Sequence, residues 1–156
     1  MTTVTFLQWT IEVPTTTPAA VDASADAATL DASCCSACAT YLYALRIGRV
    51  PVQVLDFLRA VGANAASPLE MWGAPDSGFL AGTYELRGRM LSGPTFADGA
   101  GDAVAVVEPG WECWIAEVSG GRGGIAEDEK PTLEFEFSWN TDDLIGLAVV
   151  AGRTSV

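Results

Sequence analysis

The sequence predicts an α+β fold: an N-terminal strand, two helices, then a mainly antiparallel sheet of four or five strands. Three observations predict it. Apolar and polar residues alternate over residues 3–13 and again over 133–139, which is the period of a half-buried strand. Residues 31–61 change to helical spacing. The remaining strand-like stretches follow the helices without alternating with them, and segregated helices and strands pack as helices on one face or end of a sheet.

Each element follows from its residues. Leu7, Trp9, Ile11 and Val13 face one way and Gln8, Thr10 and Glu12 the other, until Pro14 closes the strand. Residues 14–30 are rich in Thr, Ala and Asp and read as a mobile loop. From Asp31 to Ile47, Cys34, Cys38, Tyr41 and Leu45 fall on one helical stripe, with Cys35 and Leu42 on its flank and Gly48 as the stop. Pro51 suits the first position of a second helix, whose apolar face is Val54, Leu55, Leu58 and Val61 and whose end is Gly62. Residues 63–80 read as a loop, in which Trp72, Phe79 and Leu80 are candidate interface residues if the chain is an assembly subunit.

The period then becomes two. Tyr84, Leu86 and Met90 alternate with Glu85, Arg87 and Arg89, and Gly93-Pro94 ends the strand. Residues 103–107 and 111–118 are strand candidates divided by a Pro109-Gly110 turn. Residues 119–129 open on a glycine-rich run and, like 14–30, are expected to be mobile. Leu133, Phe135, Phe137 and Trp139 alternate with Glu134, Glu136 and Ser138. The apolar run 144–150 reads as a last strand rather than a helix, though it is too short for its period to decide. The expected core is Leu7, Trp9, Leu55, Leu58, Leu86, Phe135 and Phe137, in a single domain spanning residues 1–156.

Composition narrows the function. With 156 residues, 49% hydrophobic and 18% charged, the chain is large enough for a core and unlike a disordered one. No apolar run reaches the roughly 18 residues of a membrane helix, and Met1–Phe6 lacks the basic start of a secretory signal; a cytoplasmic protein away from membranes is expected. Net charge is −12, and residues 98–156 hold twelve acids against Arg122, Lys130 and Arg153, a balance of −9. That field repels nucleic acid and attracts a basic partner protein, although acidic surfaces also serve solubility alone. The candidate partner-binding residues are Glu127, Asp128 and Glu129, together with Glu134 and Glu136 on the polar side of their strand.

The chain has no histidine. Ser-His-Asp and Cys-His nucleophiles are therefore absent, as are histidine-containing zinc sites, and no catalytic residue can be named. Glu127–Glu129 lacks the spacing of an EF-hand loop, and the glycine run lacks the Lys-Ser/Thr of a phosphate loop. The chemically distinctive motif is Cys35-Ser36-Ala37-Cys38, beside Cys34 and with Cys113 far along the chain. Three readings stay open for Cys35 and Cys38: small core-filling residues, part of a zinc site completed by Cys34 and Cys113, or a redox or regulatory thiol pair at a helix start.

Cys35-x-x-Cys38 with Tyr41, Val50-Pro51, Leu58–Gly62, Pro68–Trp72, Tyr84–Pro94 and Leu133–Trp139 together make a pattern. It resembles an uncharacterised family of small bacterial proteins, some found in toxin-immunity contexts. The resemblance covers most of residues 35–139; the segment 14–30 departs from it, and it brings no catalytic residues. It implies a non-enzymatic, immunity-like binding protein, in line with an acidic C-terminal surface that meets a basic partner.

Overall fold

The computed structural model describes residues 1–15, 35–95, 103–118 and 132–154. Among them are eight strands and three helices: β1 (Thr2–Phe6), β2 (Trp9–Val13), α1 (Ser36–Arg46), α2 (Val52–Ala60), β3 (Glu70–Ala74), β4 (Phe79–Arg87), β5 (Arg89–Ser92), β6 (Ala105–Glu108), β7 (Trp111–Val118), β8 (Thr132–Asn140) and α3 (Asp143–Thr154). The strands form two antiparallel sheets, β1-β2-β5 and β3-β4-β8-β7-β6. The expected α+β class is the one observed. Of the segments expected to be mobile, 14–30 and 119–129, all but residues 14 and 15 lie outside the described residues.

The core lies against one face of the larger sheet. On β8 every second residue, Leu133, Phe135, Phe137 and Trp139, is buried. In register beside them are Leu80, Tyr84 and Leu86 of β4 and Trp111, Cys113 and Ile115 of β7. Tyr41 of α1 stacks on Phe137 at 5.3 Å between ring centroids. Phe6 of β1 and Phe57 of α2 meet Phe135 at 5.9 and 5.1 Å. The small sheet and the first two helices thus share one aromatic cluster with the large sheet.

Two buried hydroxyls tie this core together. Tyr84 Oη donates to the Ala65 carbonyl at 2.7 Å, and the Tyr41 and Tyr84 hydroxyls are 2.6 Å apart. Burial pushes the Tyr84 phenol well above its ordinary range, reinforced by Tyr41, so it remains a neutral donor. Tyr84→Phe is expected to cost about 1–3 kcal/mol, because both the Ala65 carbonyl and the Tyr41 hydroxyl lose a buried partner. Urea unfolding measures this; an unchanged midpoint would mean that the pair is replaceable.

The structure revises several expectations. Residues 3–13 are a hairpin, since the chain reverses at Leu7-Gln8 and pairs Phe6 with Trp9. Leu7 therefore sits at the turn with φ 51° and is exposed, while Trp9, Ile11 and Val13 are buried as expected. Primed hairpin turns require positive φ, but the usual Asn or Gly signal is missing here. On α1 the buried stripe is Ala37, Thr40, Tyr41 and Ala44. Cys38 and Leu45 only flank it. On α2, Pro51 is the N-cap and Phe57 joins Val54 and Leu58 in the core, leaving Leu55 half-buried.

Residues 63–80, expected to be a loop, contain all of β3, a short 3₁₀ turn at Pro75–Ser77 and the start of β4. Leu80 is a core residue rather than an interface residue, and Trp72 is 38% exposed on β3. The expected strand through Met90 is two strands. Gly88, with φ 152°, redirects the chain so that β4 belongs to the large sheet and β5 to the small one. Residues 144–150 are helical. Leu144, Leu147 and Ala151 are buried at helical spacing, and Thr141 Oγ1 accepts from the Asp143 N–H at 3.4 Å at the helix start. Among the described residues, no helix is long and apolar enough to cross a membrane.

Candidate functional site

Because β8 buries one side, Glu134 and Glu136 fall on the opposite face of the sheet, where both are half-buried. Register supplies their neighbours. Glu134 lies between Glu85 of β4 and Ala116 of β7, and Glu136 lies between Thr83 and Trp114. One step further, Ser138 lies between Ala81 and Glu112, and Trp72 follows on β3. Among the described residues of these strands, Arg87 stands on this face as well, opposite Thr132 at one end.

Glu85 and Glu134 are directly opposed carboxylates. Opposed residues in an antiparallel sheet have Cβ atoms about 4.5–5.5 Å apart, and like charges there are destabilising. Among the described residues neither takes part in an ion pair; the paired acids are Asp143 with Arg49, Asp56 with Arg59, and Glu12 with Arg89. Of the expected partner-binding residues, the structure brings Glu134 and Glu136 together on one face, while Glu127, Asp128 and Glu129 lie outside the described residues. Sequence reasoning did not select Glu85, Glu112, Trp72 or Trp114. Alternation puts Glu85 on a polar side, but only strand register reveals that it meets Glu134.

The second site is at the start of α1. Cys35 is the N-cap, in extended conformation (φ −61°, ψ 159°), and its sulfur accepts from the Cys38 N–H at 3.5 Å. An N-cap side chain and the side chain three residues later turn toward each other, as in a capping box, and here the two sulfurs are 3.2 Å apart. Cys35 is exposed and Cys38 half-buried. Burial acts to raise the Cys35 thiol, but the hydrogen bond from the Cys38 N–H, the contact with the Cys38 thiol and the Ala37 N–H outweigh it and hold the thiol below its ordinary value.

Compared with protein-family models, curated proteins and solved structures, the chain matches none. Its function must be read from its own residues.

Cys113 does not join the thiol pair. It is buried on β7 opposite Phe137, and burial pushes its thiol up to about 12. Among the described residues, no three of His, Cys, Asp and Glu stand close enough to hold a metal ion. Of the four cysteines in the zinc reading, Cys113 does not stand with Cys35 and Cys38, and Cys34 lies outside the described residues.

A cleft of about 500 Å³ is bordered by Arg49, Val52, Glu108, Trp139 and Asp143. Its guanidinium is already bonded across the cleft to Asp143 at 3.0 Å, so that charge is not left to select a ligand.

Proposed function

We propose that this domain binds a basic protein surface through the acidic outer face of its large sheet. The observation that carries the reading is the Glu85–Glu134 opposition. Two opposed carboxylates with no ion-pair partner among the described residues cost stability, and a local rule broken in this way points to a role in function. An incoming lysine or arginine would relieve the repulsion. Glu112 and Glu136 extend the negative field, and Trp72 and Trp114 add aromatic surface of the kind enriched in protein interfaces. Long-range attraction speeds encounter and weakens with salt, because the Debye length is about 8 Å at physiological ionic strength. The immunity setting implied by the sequence resemblance remains the proposed context, with the partner identified only by its charge.

Glu85→Gln/Glu134→Gln should weaken binding of a lysine- and arginine-rich peptide about tenfold, close to 1.4 kcal/mol. The same variant should be more stable to urea by about 0.2–1 kcal/mol, as the like-charge pair disappears. Asp56→Asn/Asp76→Asn removes equal charge away from this face and serves as the control. The peptide is titrated by tryptophan fluorescence at low and high salt. Equal loss in both variants would mean that net charge alone attracts the peptide, and would overturn the reading.

A further inference from the structure

We propose that Cys35 and Cys38 form a reversible dithiol–disulfide site that exchanges with substrate disulfides, with Cys35 as the attacking sulfur and Cys38 as the resolving one. The site is separate from the sheet face and does not depend on its role.

Three features of the geometry support it. First, the sulfurs lie 3.2 Å apart, and a disulfide needs about 2.05 Å, so a small closing motion suffices. The N-cap backbone supplies that freedom, because Cys35 stands outside the helical turn while Cys38 is within it. Second, exposure is asymmetric. Cys35 presents its sulfur to solvent, where a bulky disulfide can approach, and Cys38 is half-buried behind it. Third, the Cys38 N–H points at the Cys35 sulfur, and the free N–H groups and dipole of a helix start favour a thiolate there. The lowered Cys35 thiol agrees with this placement. Simple packing accounts for none of the three, since the buried stripe of α1 is formed by Ala37, Thr40, Tyr41 and Ala44 instead.

The exchange balances as follows. Cys35, having lost its proton to solvent, attacks one sulfur of a substrate R–S–S–R′. A Cys35–S–R bond forms, the S–S bond breaks, and R′–S⁻ leaves and takes up a proton. Cys38 then loses its proton and attacks the Cys35 sulfur, giving the Cys35–Cys38 disulfide and releasing R–S⁻, which is protonated in turn. Two protein thiols are oxidised by two electrons and one substrate disulfide is reduced to two thiols. The reverse sequence oxidises a substrate dithiol.

The test uses the full-length chain equilibrated with mixtures of reduced and oxidised glutathione, quenched in acid, alkylated and weighed, then digested to locate the cross-link. The expected result is paired loss of two thiols, a cross-link between Cys35 and Cys38, and an extent that follows the glutathione ratio in both directions. Cys38→Ser and Cys38→Ala should each accumulate glutathione on Cys35. Cys35→Ser should react at least about tenfold more slowly, having lost the accessible, thiolate-favoured sulfur. Cys34→Ser and Cys113→Ser should behave like the parent, and circular dichroism confirms that each variant is folded. Absence of a cross-link in the unsubstituted chain at every ratio would overturn the proposal. So would a cross-link that requires Cys34 or Cys113, or equal reactivity of folded Cys35→Ser and Cys38→Ser.

Discussion

Phe135→Ala is expected to lower the unfolding free energy by about 3–5 kcal/mol, the range for truncating a fully buried aromatic residue. Phe135 is completely buried at the centre of β8 and touches three other elements through Phe6, Phe57 and Tyr84. Neighbours anchored in separate elements collapse poorly into a vacated space, so the cavity remains. Urea titration should show a lower midpoint with an unchanged slope, and the thermal midpoint should fall by roughly 2–4 °C per kcal/mol for a chain of this size. Phe135→Leu, which retains more of the volume, should lose less. A loss under 1 kcal/mol on Phe135→Ala would mean that the small sheet and α2 do not depend on this ring.

Gly88→Ala should have an effect of comparable size for a backbone reason. With φ 152°, Gly88 occupies a region that side chains rarely enter, and an added Cβ would run into the Glu12 carbonyl oxygen and meet Val13 Cγ1 at 3.1 Å. Strain and overpacking together are expected to cost about 2–5 kcal/mol. Relief requires β5 to move away from β2, so the Arg89–Glu12 ion pair at 2.7 Å should be disturbed as well. Urea unfolding measures the loss. A variant as stable as the parent would show that the passage between sheets tolerates a side chain.

Much of the fold was legible because its signals are local. The alternation of Leu133–Trp139, the Pro109-Gly110 turn and the apolar spacing of α2 each express one element's own period. The misread segments are those where tertiary context decides. Alternation points Leu7 inward, but the reversal at Leu7-Gln8 places it outside, without the turn residues that normally announce a hairpin. Residues 144–150 lacked the length to reveal a helix; Thr141, Asp142 and Asp143 were the capping signal, and Ala151 completed the buried stripe. Gly88 read as an ordinary strand residue because only its φ and the nearby Glu12 carbonyl make it a point of transfer.

The candidate sites divide in the same way. Glu134 and Glu136 were visible as the polar half of an alternating strand. The opposed Glu85, 49 residues earlier in the sequence, follows from register, which depends on pairing rather than pattern. Cys35-x-x-Cys38 was legible as a motif, yet its role turned on one residue of helix phase. The helix packs through Ala37, Thr40, Tyr41 and Ala44, which leaves Cys38 beside the buried stripe, and its start at Ser36 makes Cys35 the cap, with the two sulfurs 3.2 Å apart.

The strand order β3-β4-β8-β7-β6 also bears on how the protein is made. The strand of this sheet that comes last in chain order, β8, is the one both of its neighbours need. Until β8 emerges, β4 and β7 have no partner on their inner edges, and the aromatic rings of Tyr41, Phe57 and Trp111 have nothing of β8 to cover them. The nascent chain must hold these edges and rings apart while it waits, and its acidic charge then acts as a self-repelling coat that keeps unfinished chains from joining each other edge to edge.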